Sequence, residues 1–245
     1  LLADEAATLR LAADIAAISS KALAGLSTAN LSALGSAQGA GLTTGQIGAL
    51  SLAQVAVLTS DEISAWDSTQ VGALTTTQVA GLTVAQVAAI DTTDIAALST
   101  TQIGALSSTQ VGGLGTAQVR ALETTDLAVL TTTQIRALGA TRLAALSTTQ
   151  VGALTTTQVT ALTTTTVAAL TTTQVAGLTT AQIAAFTTTQ IGALETSDIA
   201  ALSRSSVGVV YRYFPNIDSL LLALAGRNMD RALARVQERV AGADA

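Results

Sequence analysis

The sequence has no cysteine and no histidine, one proline, and aromatic residues at only 2% of its positions. Without cysteine there is no disulfide framework and no thiolate site. Without histidine the commonest metal ligand and the commonest general base are both missing. With so few aromatics, any core must be built from Leu, Ala, Val and Ile. Basic residues are also scarce: 11 Lys and Arg stand against 16 Asp and Glu, a formal charge of −5. That balance argues against nucleic-acid binding by the chain as a whole, because phosphate contacts need cations. Long apolar runs are absent despite a mean hydropathy of +0.53. A Thr, Ser, Gln or Asp interrupts every stretch before the roughly 18 residues that a membrane span requires. The opening, Leu1-Leu2-Ala3-Asp4-Glu5, lacks a basic n-region and does not read as a signal peptide.

What is present is repetition. An eight-residue frame runs without a slip from Leu11 to Leu202, 24 units in all. Position one is usually Thr, Ser, Asp, Glu or Gly. Position four is usually Gln. Position five is Ile, Val or Leu in every unit except at Gly39. Position seven is Ala, Gly or Val. Position eight is large and apolar, mostly Leu, with Ile18, Trp66, Ile90 and Phe186 as variants.

Thr or Ser at position one with Gln at position four forms the S/T-x-x-E/Q capping box, as in Thr171 with Gln174 and Thr187 with Gln190. Positions five and eight are three apart, neighbours on one face of a helical turn. Each octad therefore predicts its own short helix with two apolar anchors. One continuous helix fails: eight residues advance about 800°, so the apolar face drifts by about 80° per repeat. Helices this short are unstable alone and must stack. The expected fold is all-α, a solenoid of short capped helices. A β-solenoid is the alternative, since Thr and Val favour strands and an even period keeps each position facing one way. Against it stand the adjacent apolar positions seven and eight and the abundance of Ala.

Chemistry is sparse. The acidic residues at position four, Asp14, Glu62, Asp94, Asp126 and Asp198, sit singly in the Gln position. They are expected to cap helix starts rather than catalyse. Asp61-Glu62 is expected to be a solvated face, with a weak cation site as the alternative. Gly112-Gly113-x-Gly115 lacks the Lys and preceding strand of a phosphate loop. Trp66 occupies an anchor position and is expected in the core. No serine has a histidine partner, which excludes a Ser-His-Asp triad. No catalytic, cofactor or metal site is expected, and the chain reads as non-enzymatic. Stacked Thr at positions two and three would make a flat row of hydroxyls and methyls, suited to a protein or glycan surface partner. The array resembles the Thr/Ala-rich tandem repeats of large bacterial secreted or surface proteins, which implies a surface or secreted location.

The text changes at Ser203. Tyr211-Arg212-Tyr213-Phe214-Pro215-Asn216 holds both tyrosines, one of two phenylalanines and the only proline. Residues 203–245 carry six Arg against four acidic residues. A longer helix is expected after Pro215, capped by Asn216. The string Ser206-x-Gly208-x-Val210-Tyr211-x-Tyr213-Phe214, preceded by Ile199-Ala200, resembles the helix-turn-helix of tetracycline-repressor (TetR) family regulators. The resemblance implies a recognition helix from Ser206 to Tyr213 in the DNA major groove. It implies DNA contacts by Ser206, Tyr211, Arg212 and Tyr213, and a cytoplasmic location. The family's turn glycine is replaced by Arg204, its valine by Ser205 and its lysine by Ile217. The expected organisation is an N-terminal cap and first octad (1–18), an octapeptide solenoid (19–202) and a C-terminal helical cap (203–245). Two functions follow: a structural or interaction repeat protein with a Thr-rich surface, or a TetR-type DNA-binding regulator with a repeat extension.

Overall fold

The computed structural model describes residues 13–194 together with 198 and 199. Over this span the chain is an all-α solenoid, and no strand occurs among the described residues. Helices of four to six residues follow one another from Ser20–Ala24 to Thr188–Ala193. The one longer element, Thr132–Ala145, is two octad helices joined across a kink at Gly139. The helix expected after Pro215, and the whole of 203–245, lie outside the described residues.

Each octad is built alike. Positions two to seven form the helix, as in Thr76–Gly81 and Val84–Ala89. Positions eight and one form an extended corner: Leu82 has φ −62, ψ 143 and Thr83 has φ −71, ψ 158. The corner is the break that the octad border predicts. Inside the octad, the position-five amide donates to the position-one carbonyl (Val79 to Thr75, 2.9 Å), and position eight donates to position five (Leu82 to Val79, 3.3 Å).

Stacking follows a rule of three. Each helix packs on the third helix along: Ser20–Ala24 on Thr44–Ala49, Thr76–Gly81 on Thr100–Ala105, and Thr156–Ala161 on Thr180–Ala185. One coil of the solenoid is thus three octads, or 24 residues. The core is continuous and made of positions five and eight, with Val55, Val79 and Val119 fully buried and Leu50, Leu74 and Leu106 nearly so. Burying such a pair stabilises by about 3–6 kcal/mol per octad as an upper estimate. This outweighs the instability of a helix of one and a half turns standing alone.

Two anomalies in the frame explain each other. Gly39 lacks the position-five anchor, and Trp66, one coil on, is larger than the usual Leu. The Trp66 indole is 3% exposed, and its Nε1–H donates to the Gly39 carbonyl at 3.0 Å. A Cβ on Gly39 would meet Glu62 Cβ and Cγ at 3.1 Å. The missing side chain is what lets the larger neighbours close over it.

Candidate functional surface

The position-four Gln has two ends, and each end does a different job. In Gln78 the Oε1 accepts from the Thr75 amide at 2.7 Å, while the Gln78 amide donates to the Thr75 hydroxyl at 3.2 Å. The Nε2 of the same side chain donates to the carbonyls of Ile47 and Leu50, both at 2.8 Å. Those carbonyls lie at the end of a helix of an earlier coil: Ile47, in its last turn, also takes the Leu50 amide at 3.2 Å, and the extended Leu50 carbonyl lies past the helix end. One side chain therefore starts its own helix and finishes another. The arrangement recurs wherever Gln holds the position from Gln46 to Gln190, always engaging the carbonyl 28 residues back. Gln118 keeps both ends although its N-cap, Gly115, has no hydroxyl: Oε1 accepts the Gly115 amide at 2.8 Å, and Nε2 bonds Val87 and Ile90 at 2.9 and 2.6 Å.

Substitutions in this position show what it demands. Arg142 keeps the inter-coil role, donating from Nε to the Leu114 carbonyl, 28 residues back, and from Nη1 to Leu138. Thr166 pairs locally with the Thr163 hydroxyl at 2.7 Å. Asp94 accepts the Ser68 hydroxyl at 2.9 Å, and Asp198 accepts the Thr172 hydroxyl at 2.9 Å. Asp126 accepts the Glu123 amide at 3.0 Å. Burial pushes the carboxyls of Asp94 and Asp126 above the ordinary range. Glu62 puts one oxygen on the Thr59 amide and hydroxyl at 2.6 and 2.8 Å and leaves Oε1 buried without a partner.

The outer surface is positions one, two, three, six and seven. Three octads per coil give the solenoid three faces, and each face gathers octads 24 residues apart. Consecutive octads thus point their threonines three different ways. One face carries an unbroken double row over five coils: Thr76, Thr100, Thr124, Thr148 and Thr172 beside Thr77, Thr101, Thr125, Thr149 and Thr173. The second row is exposed throughout. In the first row, Thr148 is partly covered by the coil above, where a Cβ on Gly177 would meet Thr148 Cβ at 3.1 Å. Glu123 is the one charged residue exposed on this stretch of the face. Asp61, Asp67, Asp91, Arg120, Arg136 and Arg142 belong to the other two faces.

Size is matched between coils at the same contact. Position two lies under position seven of the next coil. The two large aliphatics at position two, Leu52 and Val84, both lie under glycine, Gly81 and Gly113. A Cβ on Gly113 would meet Val84 Cγ1 at 2.3 Å. The Gly112-Gly113 pair is therefore a packing feature of the array. Among the described residues, no group of three or more Asp, Glu, His or Cys comes together as metal ligands do. No described helix is long and apolar enough to cross a membrane. Ser206, Tyr211, Arg212 and Tyr213 lie outside the described residues.

The 24-residue coil leaves a trace in the sequence that the octad alone obscures. The four non-Leu anchors, Ile18, Trp66, Ile90 and Phe186, are separated by 48, 24 and 96 residues, all multiples of 24. They belong to one face.

A tandem octad repeat whose described units are short stacked helices, most of them capped at position one, is the class of protein that this geometry defines. The profile of the ALTTAQ repeat matches residues 12–44, 87–124, 119–156, 128–164 and 167–204, more than half of the chain. The protein belongs to the ALTTAQ repeat family. No curated protein matches the chain. No solved structure matches it either.

Proposed function

We propose that the chain is a non-enzymatic structural or interaction solenoid that presents its double Thr row to an extended, uncharged partner, a neutral glycan. The observation that carries this reading is the unbroken row from Thr76-Thr77 to Thr172-Thr173 on one face. A single charged side chain, Glu123, interrupts it, so an ionic partner would find little to pair with. Five coils at about 8–10 Å each, one short helix wide, give a strip of only a few hundred Å2. That is less than the roughly 800 Å2 per partner of a stable protein interface. A slender polymer suits it better than a second globular surface. The acidic side chains support the non-enzymatic reading, because Glu62 and Asp126 are occupied at helix starts.

Co-sedimentation with insoluble cellulose and chitin tests the glycan partner. Wild type is expected to be retained. A Thr101→Lys, Thr125→Lys, Thr149→Lys variant is expected to lose retention at least about tenfold. The same change at Thr93, Thr141 and Thr165, on another face, is expected to leave it intact. Equal loss from both variants, or no retention of wild type, removes the glycan and leaves a purely structural role.

The second reading, a DNA-binding regulator, rests on the string Ser206-x-Gly208-x-Val210-Tyr211-x-Tyr213-Phe214 and on the six Arg of residues 203–245. It predicts salt-dependent retention on duplex DNA that weakens in Arg212→Ala. Absence of retention at low salt rejects it.

A further inference from the structure

Each position-four Gln from Gln46 to Gln190 reaches the carbonyl 28 residues back and one or two others 30 or 31 back, in the octad four units earlier. The inter-coil ties therefore run in lines whose links are 32 residues apart. The 24 octads sort into four such lines. Three of them are Gln at nearly every link from residue 38 to residue 158. The fourth reads Asn30, Glu62, Asp94, Asp126 before returning to Gln158 and Gln190. Three consecutive links of one line thus carry an acid where the others carry an amide. With three octads per coil, this line spirals through the middle of the array.

An ionised carboxylate has no hydrogen to donate. The carbonyls that these links would engage by repeat position belong to Leu31 and Leu34, Ile63 and Trp66, and Ile95 and Leu98. Glu62 shows the conflict directly. It has the length of Gln, and its Oε2 fills the Gln Oε1 role towards Thr59. Its Oε1 holds the place of Nε2, buried and unpartnered. Asp94 and Asp126 are 5% and 2% exposed. An ionised group in such a place is costly unless it is paired.

We propose that octads 59–66, 91–98 and 123–130 form a proton-operated seam, closed when the buried carboxyls of Asp94 and Asp126 are protonated and weakened when they are ionised, beside a Glu62 link that lacks the amide donor. At Asp94 and Asp126, which are one methylene shorter, protonation removes a buried charge. The charged surroundings are mostly anionic. Asp61 shares the Glu62 helix, while the packed helices Ser36–Gly39 and Val84–Ala89 bring none. Asp94 faces Asp91 and Asp67, the N-cap of Ser68–Gly72, and the packed helix Thr116–Ala121 carries Arg120. Asp126 faces Glu123, and Thr100–Ala105 and Thr148–Gly152 bring none.

The sign follows from the direction of the shifts. Burial holds the carboxyls of Asp94 and Asp126 above their unfolded value. Their neutral forms therefore favour the fold, and that contribution is lost as pH rises through the raised values. Asp91 works the other way. It is held below the ordinary value by the Asp94 amide and the Thr93 hydroxyl, so its contribution is lost only when pH falls below the ordinary carboxyl range. The window in which acid closes the seam therefore begins above the ordinary carboxyl value.

Thermal unfolding of the full chain, followed by circular dichroism at about pH 7 and about pH 5, tests this. Wild type is expected to melt at least about 4 °C higher at the lower pH. Glu62→Gln, Asp94→Gln, Asp126→Gln restores the amide at all three links. It is expected to raise the neutral-pH melting temperature and to abolish the pH difference. A wild type that is indifferent to pH or less stable in acid overturns the proposal, as does a triple variant with an unchanged pH difference. If the triple variant does not fold, Asp94→Asn, Asp126→Asn must abolish the pH difference. Native-state hydrogen exchange locates the effect. After correction for intrinsic rates, amides of octads 59–66 and 91–98 are expected to gain protection in acid relative to octads 147–194. Uniform change along the array rejects a seam. None of these outcomes depends on what the Thr rows bind.

Discussion

The position-four side chain decides the fold one hydrogen bond at a time. Gln is favoured because it is the uncharged side chain of this length with an acceptor and a donor at its tip. Gln78→Ala removes the acceptor from the Thr75 amide and the donor from two buried carbonyls. A loss of about 1–3 kcal/mol is expected in urea unfolding. Gln78→Glu is expected to cost more at neutral pH, since a carboxylate has no hydrogen to donate to the Ile47 and Leu50 carbonyls. Half of this chemistry was legible in the sequence. The spacing of positions one and four announces the reciprocal cap. The inter-coil half was not, because the distance of 28 residues depends on how many octads close a coil. Gly113 carries a second residue-scale test. Gly113→Ala is expected to destabilise by about 1–3 kcal/mol, because Val84 is β-branched and cannot swing aside. Val84→Ala in the same chain is expected to restore most of it, read as a coupling energy in a double-mutant cycle.

At the scale of one helix, the octad works because its two ends are specified independently. A hydroxyl at position one starts the helix and an extended corner ends it. The corner at the octad border was legible, because drift of the apolar face rules out a rod. The octad 139–146 departs from the rule. Its first residue, Gly139, has φ +68 and ψ −179, and the helix before it runs on to the kink without an extended corner. A Cβ there would meet nothing within 4 Å. Gly139→Ala is therefore a test of backbone alone: about 1–3 kcal/mol of destabilisation is expected with no steric clash to share the blame. Glycine also opens octads 35–42 and 115–122, and Gly115 has an ordinary φ of −72. Nothing in the frame marks Gly139 as the strained one, which is why the sequence did not show it.

Across the whole molecule, the number three governs what lies near what. Residues 24 apart in sequence share a face and residues eight apart do not. The chain has no cysteine of its own, so engineered pairs report cleanly. A short bifunctional maleimide is expected to cross-link Thr101→Cys with Thr125→Cys far more readily than Thr101→Cys with Thr109→Cys, despite the greater sequence separation. The reverse order would reject the coil. The all-α class was legible from capping and from the drift argument, and the Thr rows were legible as rows. Their direction was not. It needed the coil period, which the anchors Ile18, Trp66, Ile90 and Phe186 had recorded in one face.

Tandem repeats gain and lose units when a template slips during replication. In this fold such an event has a consequence that depends on arithmetic. Losing three octads shortens the rod by one coil and leaves every later residue on the face it had before. Losing one octad barely changes the length but turns everything downstream by a third of a revolution, so a Thr row that began on one face would continue on the next. The double row from Thr76 to Thr173 survives only in a lineage that counts its copies in threes.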